Sequence, residues 1–525
     1  MKKWNKIIIT IVVGLFAAYS CADLDVENLN EPDQKRAIAT PADVVGLAGG
    51  CYKVFHNQIY EYTGLGLPMG VMADNNTCSW GNSGMRDLSS EPRAEKCVWN
   101  NEITYSNSAV TIQMWGNMYS SMSAANDVLK SIAAGMTFEE AGFNTKMIQA
   151  WCTFIQGVTH GYLGLSFDQA NIIDETSDLG QLVLSPYKDV CMAGIAYLEE
   201  ALDLIAAAGS FTIPSGFIRG VTLDDVGFEQ LVRGYLARLL IHWPRNGTEA
   251  KQIDWAKVKN VLDGYELEVD HAPDMDDSTW YNWFYGYQCY QGWGRVDHRI
   301  INLMDNDYAS RWPMNGVWPD GDPGPAASAD ARLLSDFEYL PAQAFNPTRG
   351  YEHFSHYRFS RYDTWMETWT GPSNTMLGWE TSMMLAEAKL KTGDKAGAIA
   401  ILNRANGPRK VRGGLPDIAA GATETEVWEA IMYEKEIECY NTGMGLQYFD
   451  MRRNDMLQYG TINHFPMPKT EIELTGIPFY TIGDKTPDGW DRALYGWVGK
   501  DGLKSPYPDG WPGYPNKPDI PPKSK

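Results

Sequence analysis

Long segments of the chain place apolar residues at intervals of three and four, which is the period of an α-helix that packs on one face. The pattern is clearest over 187–208 and 226–243, and it recurs over 112–134 and 146–165. Each of these segments needs a partner helix to cover its apolar face, because most helix stability in proteins comes from packing. The sequence therefore predicts a mainly helical protein built from paired helices.

The most regular pair covers 379–406 and includes the run AEAKLKTGDKAGAIAILNRA. Gly393 is placed to end its first helix, and Asp394 is placed to cap its second. This hairpin of about 30 residues resembles a tetratricopeptide repeat (TPR), and a less regular copy is expected from 228–243 with 255–265. The predicted buried faces are Leu377, Thr381, Met384, Leu385 and Ala388 on the first helix, and Ala396, Ile399, Ala400 and Asn403 on the second.

Two long stretches lack helical periodicity. Residues 60–110 are rich in Gly, Asn, Ser and Asp, and residues 270–375 contain many prolines, which break helices. Irregular stretches of this length are usually functional or disordered, and the aromatic content here argues against disorder. The expected fold is therefore mainly α, with a TPR-like helical-hairpin scaffold and a long irregular, loop-rich ligand-binding region.

The composition excludes some classes of protein. A hydrophobic content of 44% and a charged content of 21% are typical of a globular chain, and the net charge of −22 makes nucleic acid an unfavourable partner. The 19 Trp outnumber the 17 Phe, and the chain also has 28 Tyr, which suits flat amphipathic contact surfaces. The eight Cys contain no CxxC pair, so we expect mostly buried thiols with room for one incidental disulfide.

The N-terminus has the form of an export signal. Lys2, Lys3 and Lys6 precede an apolar run over 7–18 that is too short to span a bilayer. The run ends in Ala-Tyr-Ser before Cys21, which resembles a lipobox and predicts that Cys21 is lipidated. An ordinary signal peptide with a chance cysteine is the alternative. The acidic run ADLDVE that follows resembles the surface-export signal of Bacteroidota lipoproteins, which implies the outer face of the outer membrane.

No catalytic constellation is evident. The sequence Gly-Asn-Ser-Gly over 81–84 lacks the spacing of a nucleophile elbow, and 64–70 lacks that of a dinucleotide-binding fingerprint. His353 and His356 have no third metal ligand beside them, and the acids of 274–277 lack the spaced order of a calcium loop. We therefore expect a protein that is not an enzyme and that uses no cofactor and no metal.

Aromatic residues within the irregular stretches give the strongest functional signal. Eight of the fourteen residues over 280–293 are aromatic, and they follow neither a helical nor a strand period, so one buried face cannot take them all. Flat rings stack on the C–H faces of sugars, while Asp, Asn and Arg bind hydroxyls. The expected ligand-binding residues are Trp80, Asp74, Asn75, Trp280, Trp283, Tyr285, Trp293, Arg295 and Trp312.

Several motifs together resemble the SusD/RagB family of outer-membrane nutrient-binding lipoproteins. The opening LDVENLNEP with TPAD behind it is similar to the family's first motif. Near the C-terminus, EKEIE over 434–438, Gly443 and FDMRR over 449–453 resemble the family signature, and FPMPKTEI follows over 465–472. The signature acids and arginines are expected to form a buried structural network and not to contact ligand.

The resemblance implies a surface-exposed protein that captures an oligosaccharide or polysaccharide, delivers it to a SusC-like TonB-dependent transporter and is anchored to the outer membrane by lipid. It also implies that the helical repeats face the transporter and the aromatic loops face the ligand. Peptide capture and a TPR-type assembly scaffold without a small ligand are the alternatives. The expected organisation is a signal peptide over 1–20 and one SusD-like domain over 21–525, with helical units at about 112–265 and 375–453, loop regions at about 60–110 and 270–375, and an atypical tail at about 474–525.

Overall fold

The computed structural model describes residues 40–77, 81–90, 93, 99–308, 324–341, 355–458 and 461–481. Helices dominate these residues and the strands are short, which confirms the predicted mainly α class. The helices are α1 Pro41–Ile59, α2 Gly66–Met72, α3 Met85–Ser89, α4 Ala109–Ala133, α5 Thr145–Ser166, α6 Tyr187–Ala208, α7 Asp225–His242, α8 Gly247–Ala250, α9 Trp255–Leu262, α10 Trp283–Cys289, α11 His298–Met304, α12 Arg332–Asp336, α13 Asp363–Thr368, α14 Gly378–Lys391, α15 Lys395–Leu402, α16 Pro408–Val411, α17 Glu424–Ile437, α18 Leu446–Arg453 and α19 Lys469–Thr475.

The long helices pack into a continuous series of hairpins. Helix α1 packs on α4, α5 packs on both α4 and α6, and α7 packs on α6 and α9. Helix α14 then packs on α9, α15 and α17. The four segments with the clearest helical period correspond to α4, α5, α6 and α7, and the bounds of α6 match the prediction at both ends. The series gives the scaffold one extended hydrophobic core.

The closest helix pair, α5 with α6, depends on glycine. A Cβ added at Gly194 would lie 2.7 Å from the backbone nitrogen of Gly161 and 2.8 Å from the backbone oxygen of Gly157. No real Cβ is found this close to backbone atoms, so any larger residue at Gly194 would force the two helices apart. Gly194 therefore permits the backbone-to-backbone approach that joins this hairpin.

The predicted TPR-like hairpin is formed by α14 and α15. Gly393 adopts a positive φ of 86° between the helices, and the side chain of Asp394 accepts a hydrogen bond from the backbone N–H of Gly397 at 2.8 Å, as a helix cap. The buried face predicted for α14 is confirmed. The face predicted for α15 is confirmed at Ile399, but its phase is wrong at Ala396 and Ala400, which are exposed. The buried residues of this short helix are Ala398, Ile399, Ile401 and Leu402.

The two stretches expected to be irregular contain short helices joined by loops. They hold α2 and α3 in the first stretch and α10 to α13 in the second, none of them longer than seven residues in the described part. Three antiparallel two-stranded sheets brace the connections. Their strands pair Gln169–Asn171 with Leu184–Pro186, Asp274–Met275 with Gly371–Pro372, and Phe337–Tyr339 with Tyr357–Phe359.

The family-signature residues form a buried ionic network, as the sequence predicted. Arg453 donates to Glu387 at 2.7 Å and to Asp450 at 2.6 Å, and Lys435 pairs with Asp450 at 2.6 Å. Burial opposes the charge of Asp450, yet Lys435 and Arg453 hold its pKa well below the usual range. The network joins α14, α17 and α18, so these residues stabilise the fold and do not reach a ligand.

Five cysteines lie in the described part of the chain, and all five are buried free thiols: Cys51, Cys152, Cys191, Cys289 and Cys439. This confirms the expectation for these positions. Cys21, the predicted lipidation site, lies outside the described residues, as do the predicted signal segment and residues 482–525 of the tail. None of the described helices is both long enough and apolar enough to cross a bilayer.

Candidate functional site

Partly exposed aromatic rings from three separate parts of the chain meet in an unbroken row. Tyr62 and Trp283 have ring centroids 6.2 Å apart, Trp283 and Trp369 are 5.1 Å apart, Trp369 and Trp293 are 6.4 Å apart, and Trp293 and Tyr290 are 4.8 Å apart. Tyr62 is 40% exposed and Tyr290 is 48% exposed at the two ends of the row. We call these five residues the aromatic platform.

Helix α10 carries Trp283 and is held firmly at its N-terminus. The side chain of Asn282 accepts a hydrogen bond from the backbone N–H of Tyr285 at 2.9 Å and donates to the hydroxyl of Ser373 at 2.6 Å. The ring of Tyr285 stacks on Tyr362 at 4.1 Å with 11° between the planes. These contacts hold α10 against Tyr362 and Ser373, on either side of Trp369, so the platform is preorganised.

Trp369 has an unusual backbone. It ends α13 in the left-handed region, with a φ of 58° and a ψ of 21°, where a bulky residue is a genuine outlier. Its backbone N–H donates to the carbonyl of Trp365 at 2.8 Å, which closes the last helical turn. Its indole lies directly against Gly286 of α10, where any added Cβ would overlap the ring. Strain of this kind concentrates at functional sites.

A pocket of about 840 Å³ lies along one side of the platform. Trp369 and Tyr290 belong both to the platform and to the pocket wall, and Met366 adds an apolar surface. Its polar walls are formed by Arg295, Arg358, Asp363 and Glu367. The volume falls within the range of roughly 300–1,000 Å³ that is usual for small-molecule sites. We call this cavity the flank pocket.

Ion pairs fix the polar wall of the flank pocket. The guanidinium of Arg358 is bidentate to the carboxylate of Asp363, at 2.7 and 2.5 Å, and also donates to Glu338. Burial opposes the charge of Arg358, but these two carboxylates raise its pKa. Burial, with the like charge of Arg358, lowers the pKa of Arg295 to about 10, so Arg295 stays protonated at neutral pH. Its guanidinium donates to the backbone oxygens of Gln291 and Gly294 at 2.8 and 2.9 Å.

Among the aromatic residues expected to bind ligand, Trp283 and Trp293 lie in the platform. Trp280 and Tyr285 lie outside the platform, and both rings are buried. Trp280 is 5% exposed because its ring packs on His56 at 5.1 Å. Tyr285 is 1% exposed because it is held between Tyr362 and the backbone oxygen of Asn374.

The polar residues expected to bind ligand are also buried. Asp74 pairs with Arg93 and accepts a hydrogen bond from Gln458 at 2.9 Å, while Asn75 accepts one from Arg299 at 2.6 Å. Asp74 and Asn75 therefore brace the loop from within, with both side chains engaged by protein partners. Arg295 is 3% exposed but borders the flank pocket, so its guanidinium stays within the proposed site. Trp80 and Trp312 lie outside the described residues.

Sequence reasoning did not select three platform residues, Tyr62, Tyr290 and Trp369. Tyr62 lies in the short loop after α1, two residues from the buried Tyr60, and nothing in its local sequence marks it as exposed. Tyr290 and Trp369 stand in aromatic-rich segments, but nothing in their spacing separates them from buried neighbours such as Tyr287. Only the packing of α10 against α13 decides which rings reach the surface.

No cluster of three or more His, Cys, Asp or Glu side chains with metal-binding geometry occurs in the described ranges. Of the acids over 274–277, Asp276 accepts hydrogen bonds from the backbone N–H groups of Ser278, Thr279 and Trp280. Burial alone would raise the pKa of Asp276, but the hydrogen bonds from Trp280 and Thr279 outweigh it and lower the pKa. This carboxylate therefore organises its own turn. His356 Nδ1 lies 3.0 Å from the backbone oxygen of Leu340.

The fold and the site together define a helical-hairpin scaffold whose loops carry an exposed aromatic surface. No family model and no curated protein matches the sequence. Solved structures do match. A SusD superfamily protein from Bacteroides vulgatus aligns with a TM-score of 0.56 at 15% identity, over 85% of this chain and 99% of its own.

Two further structures carry descriptions of what they bind. A SusD-like carbohydrate-binding protein from Bacteroides fragilis aligns with a TM-score of 0.56 at 13% identity, over 90% of this chain and 96% of its own. Surface glycan-binding protein A from Bacteroides uniformis aligns with a TM-score of 0.54 at 14% identity, over 85% of this chain and all of its own. The protein has the fold of the SusD superfamily, which confirms the predicted resemblance at the level of fold.

Proposed function

We propose that this protein is a surface glycan-binding lipoprotein that captures an oligosaccharide or polysaccharide on the aromatic platform. The row of five partly exposed rings carries the proposal. Large exposed apolar surfaces are uncommon on soluble proteins and usually mark binding sites. Aromatic rings match the C–H faces of sugar rings. Two solved structures of the same fold are described as carbohydrate-binding or glycan-binding proteins.

The proposal gives the protein a binding role without catalysis and without a cofactor. The captured glycan would pass to a SusC-like TonB-dependent transporter, with the helical hairpins facing that partner. Lipidation of Cys21 would hold the protein on the outer face of the outer membrane. A Cys21→Ala variant should then leave the membrane fraction, and the wild-type protein should co-purify with a large outer-membrane β-barrel. Retention of the variant in the membrane would contradict the anchor.

Peptide capture is the main alternative. A peptide would engage the site chiefly by hydrogen bonds to its backbone, whereas a glycan would depend on ring stacking. Affinity electrophoresis against a panel of plant and host polysaccharides, with a peptide mixture as the competing ligand, separates the two. We expect retardation by at least one polysaccharide and no effect of peptides. Peptide binding without glycan binding would overturn the proposal.

The variants that locate the site are Trp283→Ala and Trp369→Ala. Each removes one ring from the platform. Stacking of a nucleobase on one aromatic side chain is worth about 1–3 kcal/mol, and we expect a loss of similar size for a sugar ring. Tyr265→Ala is the matched control, because Tyr265 is 41% exposed and its ring contacts Arg233 on the helical scaffold. Equal glycan affinity in all three variants would place the ligand elsewhere. A TPR-type scaffold without a ligand would show no retardation at all.

A further inference from the structure

The flank pocket has a definite position relative to the platform. Its wall includes Trp369, which stands in the middle of the row of rings, and Tyr290, which stands at one end. Trp293 lies between these two in the row. The pocket therefore borders the half of the platform that extends from Trp369 to Tyr290. A linear chain that lies on the rings would pass the mouth of the pocket with one edge.

The pocket can hold a sugar by two kinds of contact. Trp369, Tyr290 and Met366 offer apolar surface to the C–H face of a ring. Asp363 has a half-exposed carboxylate that the guanidinium of Arg358 fixes in a bidentate pair. A carboxylate held in this way accepts hydrogen bonds from ligand hydroxyls without first losing side-chain entropy.

Charge at the pocket disfavours an anionic ligand. The guanidiniums of Arg295 and Arg358 are set against the carboxylates of Asp363, Glu367 and Glu338, the last of which pairs with Arg358. Counted over the described residues, these five side chains carry one net negative charge. A uronic acid or a sulfated sugar would meet the exposed carboxylates of Asp363 and Glu367 without an excess of positive charge to compensate.

We propose that the flank pocket receives an uncharged sugar side branch of the glycan whose backbone lies on the aromatic platform. This inference rests on the proposed glycan-binding function and adds the class of glycan to it. The platform alone would bind linear and branched chains alike. The pocket selects a neutral branched polysaccharide, and Asp363 and Glu367 accept hydrogen bonds from the hydroxyls of the branch.

The test compares neutral polysaccharides in matched pairs with and without branches, with polygalacturonate as the anionic probe. Suitable pairs are xyloglucan with a linear mixed-linkage glucan, galactomannan with linear mannan, and arabinoxylan with unbranched xylan. Calorimetry on the wild-type protein should give about tenfold higher affinity for the branched member of one pair. Glu367→Gln and Asp363→Asn should each remove most of that difference and leave the affinity for the linear member within about twofold.

The outcomes separate the two proposals. Binding of a glycan that is unaffected by branching and by both pocket variants would overturn the branch inference and leave the platform intact. Preference for polygalacturonate would also overturn it. Absence of binding to every polysaccharide would overturn the platform proposal and this inference with it. Because Asp363 pairs with Arg358, thermal unfolding of Asp363→Asn checks its fold, and Glu367→Gln, at an exposed position, tests the pocket independently.

Discussion

The indole of Trp369 packs directly against Gly286. Trp369 ends α13 with a positive φ, and Gly286 stands in the middle of α10. This contact links α13 to α10 and places Trp369 between Trp283 and Trp293 in the aromatic platform. The platform therefore depends on a residue that has no side chain.

Gly286→Ala should consequently weaken glycan binding without removing any ring. The added methyl group overlaps the indole and forces Trp369 out of the row. We expect glycan affinity to fall by about tenfold or more in calorimetry, which corresponds to about 1.4 kcal/mol. Gly46→Ala in α1 is the matched control, because a Cβ there meets nothing within 4 Å. Unchanged affinity in Gly286→Ala would show that the position of Trp369 does not matter.

Trp280 and Trp283 stand three residues apart and should behave in opposite ways. Trp280 is buried beside His56 and Tyr52, so Trp280→Ala should lower the free energy of unfolding by about 3–5 kcal/mol. Trp283 is partly exposed, so Trp283→Ala should cost less stability but most of the glycan affinity. Urea unfolding and affinity electrophoresis on both variants check this. A folded Trp280→Ala protein that loses binding at unchanged stability would contradict the assignment.

The contrast between these two tryptophans indicates what the sequence can and cannot predict. Helical period located α4 to α7 because each buries one face against a neighbour, and the signal persists over several turns. The phase of α15 was wrong because a helix of only two turns gives too few apolar positions to define a face. The platform is harder to predict than a helix face, because it joins Tyr62 to residues more than 200 positions away in the sequence.

Burial of the polar candidates could not be predicted either, because it also depends on contacts between distant parts of the chain. Asp74 and Asn75 lie in a loop with the composition of a ligand site, but their partners Arg93 and Arg299 come from other segments. No spacing within the loop reveals those partners. The C-terminal network could be predicted because 434–438 and 449–453 resemble the family signature, whose acids and bases are expected to pair in the core. The structure adds Glu387 from α14 as a further partner.

The buried network should be sensitive to single charges. Arg453→Met leaves Glu387 and Asp450 without a guanidinium in a buried site, so the free energy of unfolding should fall by about 3–5 kcal/mol. Arg219→Met is the control, because Arg219 is 44% exposed where it pairs with Asp276, and its loss should cost less than about 1 kcal/mol. Chemical denaturation compares the two. Similar small losses would mean that the network is not the stabilising element proposed.

Folding stability should also depend on pH through His160. Its Nε2 accepts a hydrogen bond from the backbone N–H of Ile173 at 3.1 Å, and its Nδ1 lies 2.7 Å from the carbonyl oxygen of Gln156, to which it donates. Burial lowers the pKa of His160 to about 4, against an ordinary value near 6.5. Below pH 6.5 the unfolded chain therefore binds a proton that the folded chain does not.

The free energy of unfolding should accordingly fall as the pH falls from 6.5 to about 4, by up to about 1.4 kcal/mol per pH unit for this group. His56, whose pKa burial also lowers to about 4, adds to the slope in the same direction. His160→Gln should make the slope shallower by about one proton between pH 6 and 5, measured by urea unfolding, while Tyr265→Ala keeps the wild-type slope. An unchanged slope in His160→Gln would contradict the assigned neutral imidazole.

The central claim is that the aromatic platform binds glycan, and isothermal titration calorimetry of Trp369→Ala beside wild-type protein and Tyr265→Ala tests it most directly. With the polysaccharide that retards the wild-type protein most strongly, we predict wild-type affinity for Tyr265→Ala and a loss of at least about tenfold for Trp369→Ala, with both variants folded. Equal affinities in all three proteins would contradict the claim.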